Sequence, residues 1–167
     1  SKSKIIKKVI EFAHKGGLLL GVCNGFQILV ETGLLPGALL RNKNLKFISK
    51  NVHLKIINNS NNFLSKFDKD VIELHIAHGD GNYYINQAGL KKLEDNNLIA
   101  FKYCNDLGQV SFENNPNGSL NNIAGIYNDN QNILGMMPHP ERMVDKYMSG
   151  TDGSIFFMSL LKKHSKL

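Results

Sequence analysis

Cysteine is scarce in this chain. Only Cys23 and Cys104 occur in its 167 residues, too few for a disulfide framework or a zinc ligand set. Long apolar runs are missing too, and no stretch approaches the roughly 18 residues that a membrane-spanning helix needs. The opening segment SKSKIIKKVIEFAHKGG has lysines but no small-residue cleavage site, so it reads as an amphipathic helix and not as an export signal. These absences lead us to expect a cytoplasmic chain with no membrane partner. The formal charge is +6. Its lysines are scattered, however, with no dense basic stripe and no interleaved aromatic platform, which argues against a nucleic-acid partner. A Gly-rich phosphate loop ending in Lys is also absent.

Apolar content of 42% and charged content of 20% suit a globular protein with a packed core. No internal repeat or low-complexity linker divides the chain, so a single domain over residues 1–167 is expected. Ile5, Ile6, Val9, Ile10 and Ala13 recur with a helical period, and Gly16-Gly17 closes that helix. Residues 18–22 form a short continuous apolar run, the pattern of a strand buried on both faces. A second helix is expected over residues 26–32, ended by Gly33 and a Leu-Pro-Gly turn. Helix, buried strand, sharp turn and helix argue an α/β protein with parallel strands.

Further strands are expected at 45–49 and 52–57, joined by a tight turn, and at 71–77, ending in the loop His78-Gly79-Asp80-Gly81. A helix is expected at 87–95 and strands at 99–104 and 109–112. Strands at 123–127 and 133–137 flank the turn Asn128-Asp129-Asn130-Gln131, a hairpin signal. A last helix over 153–163 has Asp152 as its candidate N-cap.

The two cysteines have different surroundings. Cys104 closes the apolar run IAFKYC, where a buried, inert thiol is expected. Cys23 sits in Gly21-Val22-Cys23-Asn24-Gly25, between the expected strand and helix. A nucleophile at such a corner is pushed clear of the sheet, and the helix N-terminus behind it favours negative charge. For a thiol this lowers the pKa. Small residues are expected two positions before and after, and both are glycine. The backbone N–H of Asn24 would point to where a tetrahedral oxyanion forms.

A base is available in Met137-Pro138-His139-Pro140-Glu141-Arg142. Its prolines exclude a helix interior, and an extended chain would place His139 and Glu141 on one face. A carboxylate beside an imidazole fixes its tautomer, the third role of a Cys-His-acid arrangement. Among the other histidines, His14 and His164 are expected near exposed helix ends, and His53 and His75 within strands. His78 stands beside Gly79 and Gly81, where a loop could approach a ligand.

Four segments, GVCNGFQIL (21–29), GLLPGALLRN (33–42), IAHGDGNYY (76–84) and GMMPHPER (135–142), span most of the chain. Together they resemble the glutaminase subunits of phosphoribosylformylglycinamidine synthase, the purine-pathway members of the class I (triad) glutamine amidotransferases. The resemblance implies a flavodoxin-like α/β fold, with a mixed, mainly parallel sheet flanked by helices and bearing antiparallel hairpins. It also implies that Cys23 attacks the side-chain amide of L-glutamine, that His139 moves the protons, and that Glu141 orients His139. Gln27, one helical turn past the nucleophile, would contact bound glutamine, and His78 would line the site.

The resemblance implies no cofactor or metal in this chain. ATP and magnesium would serve a large synthetase subunit, the partner that receives the ammonia, with a small accessory subunit in the same complex. Members of the family begin with further α/β elements, including a Gly-Gly loop that donates a second oxyanion N–H. Nothing here matches that region, so the expectation is a chain lacking the N-terminal third. Two other readings stand beside the leading one: an inactive binding module of the same complex, and a Cys-His hydrolase of related fold.

Overall fold

The computed structural model describes residues 4–148 and 150–161. In chain order the elements are α1 (Lys4–His14), β1 (Leu19–Val22), α2 (Asn24–Glu31), β2 (Ala38–Leu40), β3 (Ile48–Ile56) and β4 (Val71–His78). They continue with β5 (Asn82–Tyr84), α3 (Gln87–Asp95), β6 (Ile99–Cys104), β7 (Ile123–Tyr127), β8 (Ile133–Met136) and α4 (Asp152–Leu161). A six-stranded sheet runs in the order β1-β8-β7-β6-β3-β4, and β2 pairs with β5 in a separate ribbon.

The α/β class and the mixed sheet flanked by helices agree with the sequence. The share of parallel pairing does not. Among the described residues only β1 and β8 run parallel, while the other pairs of the main sheet are antiparallel. The reason is local. The 128–131 turn closes a tight β7–β8 hairpin, in which Asn128 Oδ1 accepts the N–H groups of Asn132 and Ile133 at 3.1 and 2.9 Å. Short connections of this kind reverse the chain, whereas a parallel partner needs a crossover.

Several boundaries also differ. The strands expected at 45–49 and 52–57 are one continuous strand, β3, and residues 45–47 lie in the exposed loop before it. No strand forms at 109–112, where Asn105 instead caps its own turn by accepting the N–H groups of Leu107 and Gln109. Asp152 is the first residue of α4, not a cap, and its carboxylate accepts the N–H of Glu73 at 2.8 Å and pairs with Lys69. The 162–163 end expected for that helix lies outside the described residues. In β1 only Gly21 is buried, because among the described residues the strand pairs on one side alone.

The core lies between the sheet and its helices. Leu54, Leu74, Phe101, Tyr103, Ile126 and Leu134 are fully covered. Asn132 ties α1 to the sheet, donating from Nδ2 to the carbonyls of Ala13 and Gly17 at 2.9 Å each. At the opposite edge, β4 is covered by the segment after β8, where the N–H of His139 donates to the carbonyl of His75 at 2.7 Å. That bond holds the Pro-His-Pro-Glu segment against β4.

Candidate active site

Cys23 joins β1 to α2 with φ 51° and ψ −106°, a left-handed conformation that costs a non-glycine residue about 1–3 kcal/mol. The surrounding bonds hold it there. Its N–H donates to the Met136 carbonyl at 2.9 Å, and its carbonyl accepts from Gln27 at 3.1 Å. The sharp corner expected from the sequence is therefore present. Of the two glycines, only Gly21 is required by contact, since a Cβ there would meet the Gly25 carbonyl at 2.8 Å. A Cβ on Gly25 would meet nothing within 4 Å among the described residues.

His139 is buried and extended, and the chain then folds into a 3-10 turn over Pro140–Arg142. Its Nδ1 lies 2.6 Å from Glu141 Oε1. The pair thus meets as expected, but through the turn and not along an extended strand. A carboxylate can only accept, so Nδ1 carries a proton, and in the neutral ring Nε2 is the lone-pair nitrogen. Among the described residues that Nε2 is buried without a hydrogen-bond partner.

One cavity of about 370 Å³ gathers Cys23, Asn24, Gln27, His78, His139 and Arg142. Glu141 is held by His139 and does not line it. Gln27 faces the cavity while its amide donates to Glu31 at 2.9 Å. The thiol is directed at the carbonyl of Ala77, 3.8 Å away. Burial pushes the Cys23 thiol up, against the lowering influence of the Asn24 N–H and the Arg142 guanidinium. The helix N-terminus alone therefore does not set the thiol as expected from sequence. Burial outweighs the influences that lower its pKa.

Cys104 is buried at the end of β6, away from the cavity. His14 ends α1 and His53 lies in β3. His75 is bonded to Asn51 at 2.9 Å and Ser49 at 3.1 Å while its carbonyl holds His139. His164 lies outside the described residues. Burial, with the neighbouring His139, lowers the His78 imidazole to about 4. Arg142 was missed by the sequence reading, although it stands in the Pro-His-Pro-Glu-Arg segment. Asn42 was missed as well, and only its place at the end of the GLLPGALLRN segment marked it. No group of three or more His, Cys, Asp or Glu side chains among the described residues is arranged to hold a metal ion. No helix among them is long and apolar enough to cross a membrane.

The CobB/CobQ-like glutamine amidotransferase domain matches residues 1–153. The phosphoribosylformylglycinamidine synthase subunit PurQ of Pelagibacter ubique is 56% identical over 161 residues, covering 96% of this chain and 71% of that protein. The subunit of the same name from Sulfurimonas denitrificans is 51% identical, covering 96% and 70%. Among solved structures, PurLQS from Thermotoga maritima aligns with a TM-score of 0.82 and 38% identity, covering 98% of this chain and 69% of that one.

Proposed function

The chain belongs to the CobB/CobQ-like glutamine amidotransferase family, and from that premise we propose that it hydrolyses glutamine as the glutaminase subunit of phosphoribosylformylglycinamidine synthase. The observation that carries this reading is the strained Cys23 corner sharing a cavity with the Nε2 lone pair of a Glu141-held His139. The more than 50% identity to two subunits of that name favours it over the inactive module and the Cys-His hydrolase.

In the reaction, His139 Nε2 takes the thiol proton, and Cys23 Sγ bonds to the side-chain carbonyl carbon of glutamine. The Asn24 N–H, which already faces the sulfur, supports the oxyanion as it forms. The C–N bond then breaks as His139 returns its proton to the nitrogen, leaving a thioester and ammonia. His139 next draws a proton from water, the hydroxyl attacks the thioester carbon, and glutamate leaves as the thiol is restored. Glu141 supports the imidazolium through its 2.6 Å bond. Gln27 and His78 complete the glutamine pocket.

The ammonia passes to the synthetase subunit, where ATP and magnesium drive amidine formation on formylglycinamide ribonucleotide. A small accessory subunit completes the complex. The reaction belongs in the cytoplasm, where both cysteines stay reduced.

The test is a glutamine-like electrophile applied to the complete protein assembled with its synthetase subunit. It should label Cys23 and spare Cys104, and Cys23→Ser should abolish ammonia release from glutamine. Labelling at Cys104, or none in the assembled complex, would overturn the assignment.

A further inference from the structure

Asn42 is fully buried behind the cavity wall and uses every polar atom of its side chain. Its Nδ2 donates to the carbonyls of Lys46 and His78, at 2.8 Å each. Its Oδ1 accepts the Gly81 N–H at 3.1 Å and lies 3.0 Å from His78 Nδ1. Its backbone N–H donates to Gly79 at 2.9 Å, and its carbonyl accepts from Leu45 at 2.8 Å. Rotating the amide would set its oxygen against two carbonyls and its NH₂ against an N–H, so its orientation is fixed. The atom facing His78 Nδ1 is therefore an acceptor, and Nδ1 must carry the proton.

In the neutral ring, which burial favours, Nε2 of His78 is then the unprotonated nitrogen, and among the described residues it is buried without a partner. The loop that follows is clamped by the same side chain, because Gly81 packs on the His78 ring so closely that a Cβ would lie 2.4 Å from Nδ1. Cys23, Asp80, His139 and Arg142 line the cavity with His78; His139 and Asp80 act on its ring, and Asp80 is paired with Arg41 at 3.5 Å. A positive charge on His139 opposes protonation of His78.

We infer that Asn42 is a positioning residue for the glutaminase reaction: its carboxamide holds His78 in the Nδ1–H form and the Gly79–Gly81 backbone against the cavity. His78 is thereby kept as a neutral acceptor beside the pocket while the catalytic proton cycles on His139. This rests on the glutaminase reading for its kinetic consequence but not for its structural one. Hydrogen-bond geometry fixes the tautomer, and burial beside His139 keeps the ring neutral.

The test pairs nitrogen NMR of the histidine rings with glutamine kinetics in the complete protein and its complex. In the wild type, His78 Nε2 should show the shift of an unprotonated ring nitrogen and remain so down to about pH 4. Asn42→Asp keeps an acceptor beside Nδ1–H but sets its second oxygen against the Lys46 and His78 carbonyls. Once that carboxyl ionises, its charge should make His78 titrate above the wild-type value. The kcat/KM for glutamine should then fall about tenfold or more at pH 6 and recover as pH rises through the new titration. A purely structural role would lower activity equally at all pH values.

An Nε2–H form of His78 in the wild type, or an unchanged titration in Asn42→Asp, overturns the inference. Should Asn42→Asp fail to fold, the wild-type ring shift decides alone. Absence of glutamine hydrolysis in the wild-type complex would defeat the functional reading and leave the NMR result standing.

Discussion

Opposed influences act on Cys23. Burial and the Glu141 carboxylate raise its pKa, while the Asn24 N–H and Arg142 lower it. Arg142 lies within the cavity and 3.9 Å from Glu141, so it also tempers the carboxylate that opposes the thiolate. Removing the cation removes a lowering influence, and the thiol pKa must rise. We therefore expect Arg142→Gln to move the midpoint of the pH–rate curve for Cys23 alkylation to higher pH, and Arg142→Lys to restore part of the shift. A midpoint that stays in place or moves down would show that the guanidinium does not act on the sulfur. Legibility at this scale was uneven. Cys23 and His139 stood out because glycines and prolines mark unusual backbone. Arg142 and Asn42 are ordinary residue types whose importance comes from what they face.

At the scale of elements, the His139 turn is positioned by contacts on two sides. β4 accepts its N–H through His75, and α4 presses on it from behind. Gly153 makes that second contact possible, since a Cβ there would lie 1.8 Å from the Pro140 carbonyl oxygen. We expect Gly153→Ala to cost about 1–3 kcal/mol in chemical denaturation, the usual range for forcing atoms into a packed site. Turnover should fall with it, because Pro140 sits between His139 and Glu141. Unchanged stability would mean that α4 can withdraw without strain. The helices at 4–14 and 87–95 and the strand at 99–104 were legible from periodicity and apolar runs. The ribbon of β2 and β5 was not, because three-residue strands are too short to show a period and are defined by their pairing.

At the scale of the whole molecule, the sheet has unequal edges. β4 is covered by the His139 segment and Asp152, whereas β1 pairs only with β8 among the described residues. Beside β1, the α1 side chains Ile5 and Phe12 are 75% and 53% exposed, an apolar strip next to a strand edge that is unpaired among the described residues. Such an edge favours association. This chain expressed alone should self-associate at micromolar concentration, and Ile5→Lys with Phe12→Lys should lower its mean mass in light scattering. An equally monodisperse wild type and variant would show that the strip is inert.

The sequence by itself determined the class of fold, the nucleophile corner, the His139–Glu141 pair and the likeness to glutaminase subunits, since each is written in residues close together along the chain. The three-dimensional structure decided which strands run antiparallel, which groups surround the thiol and what Asn42 holds. Those depend on groups far apart in sequence: Cys23 is desolvated and faces Arg142, and Asn42 reaches His78 across 36 positions. Local pattern records what a residue can do, whereas burial and long-range hydrogen bonds determine the charge and proton it carries.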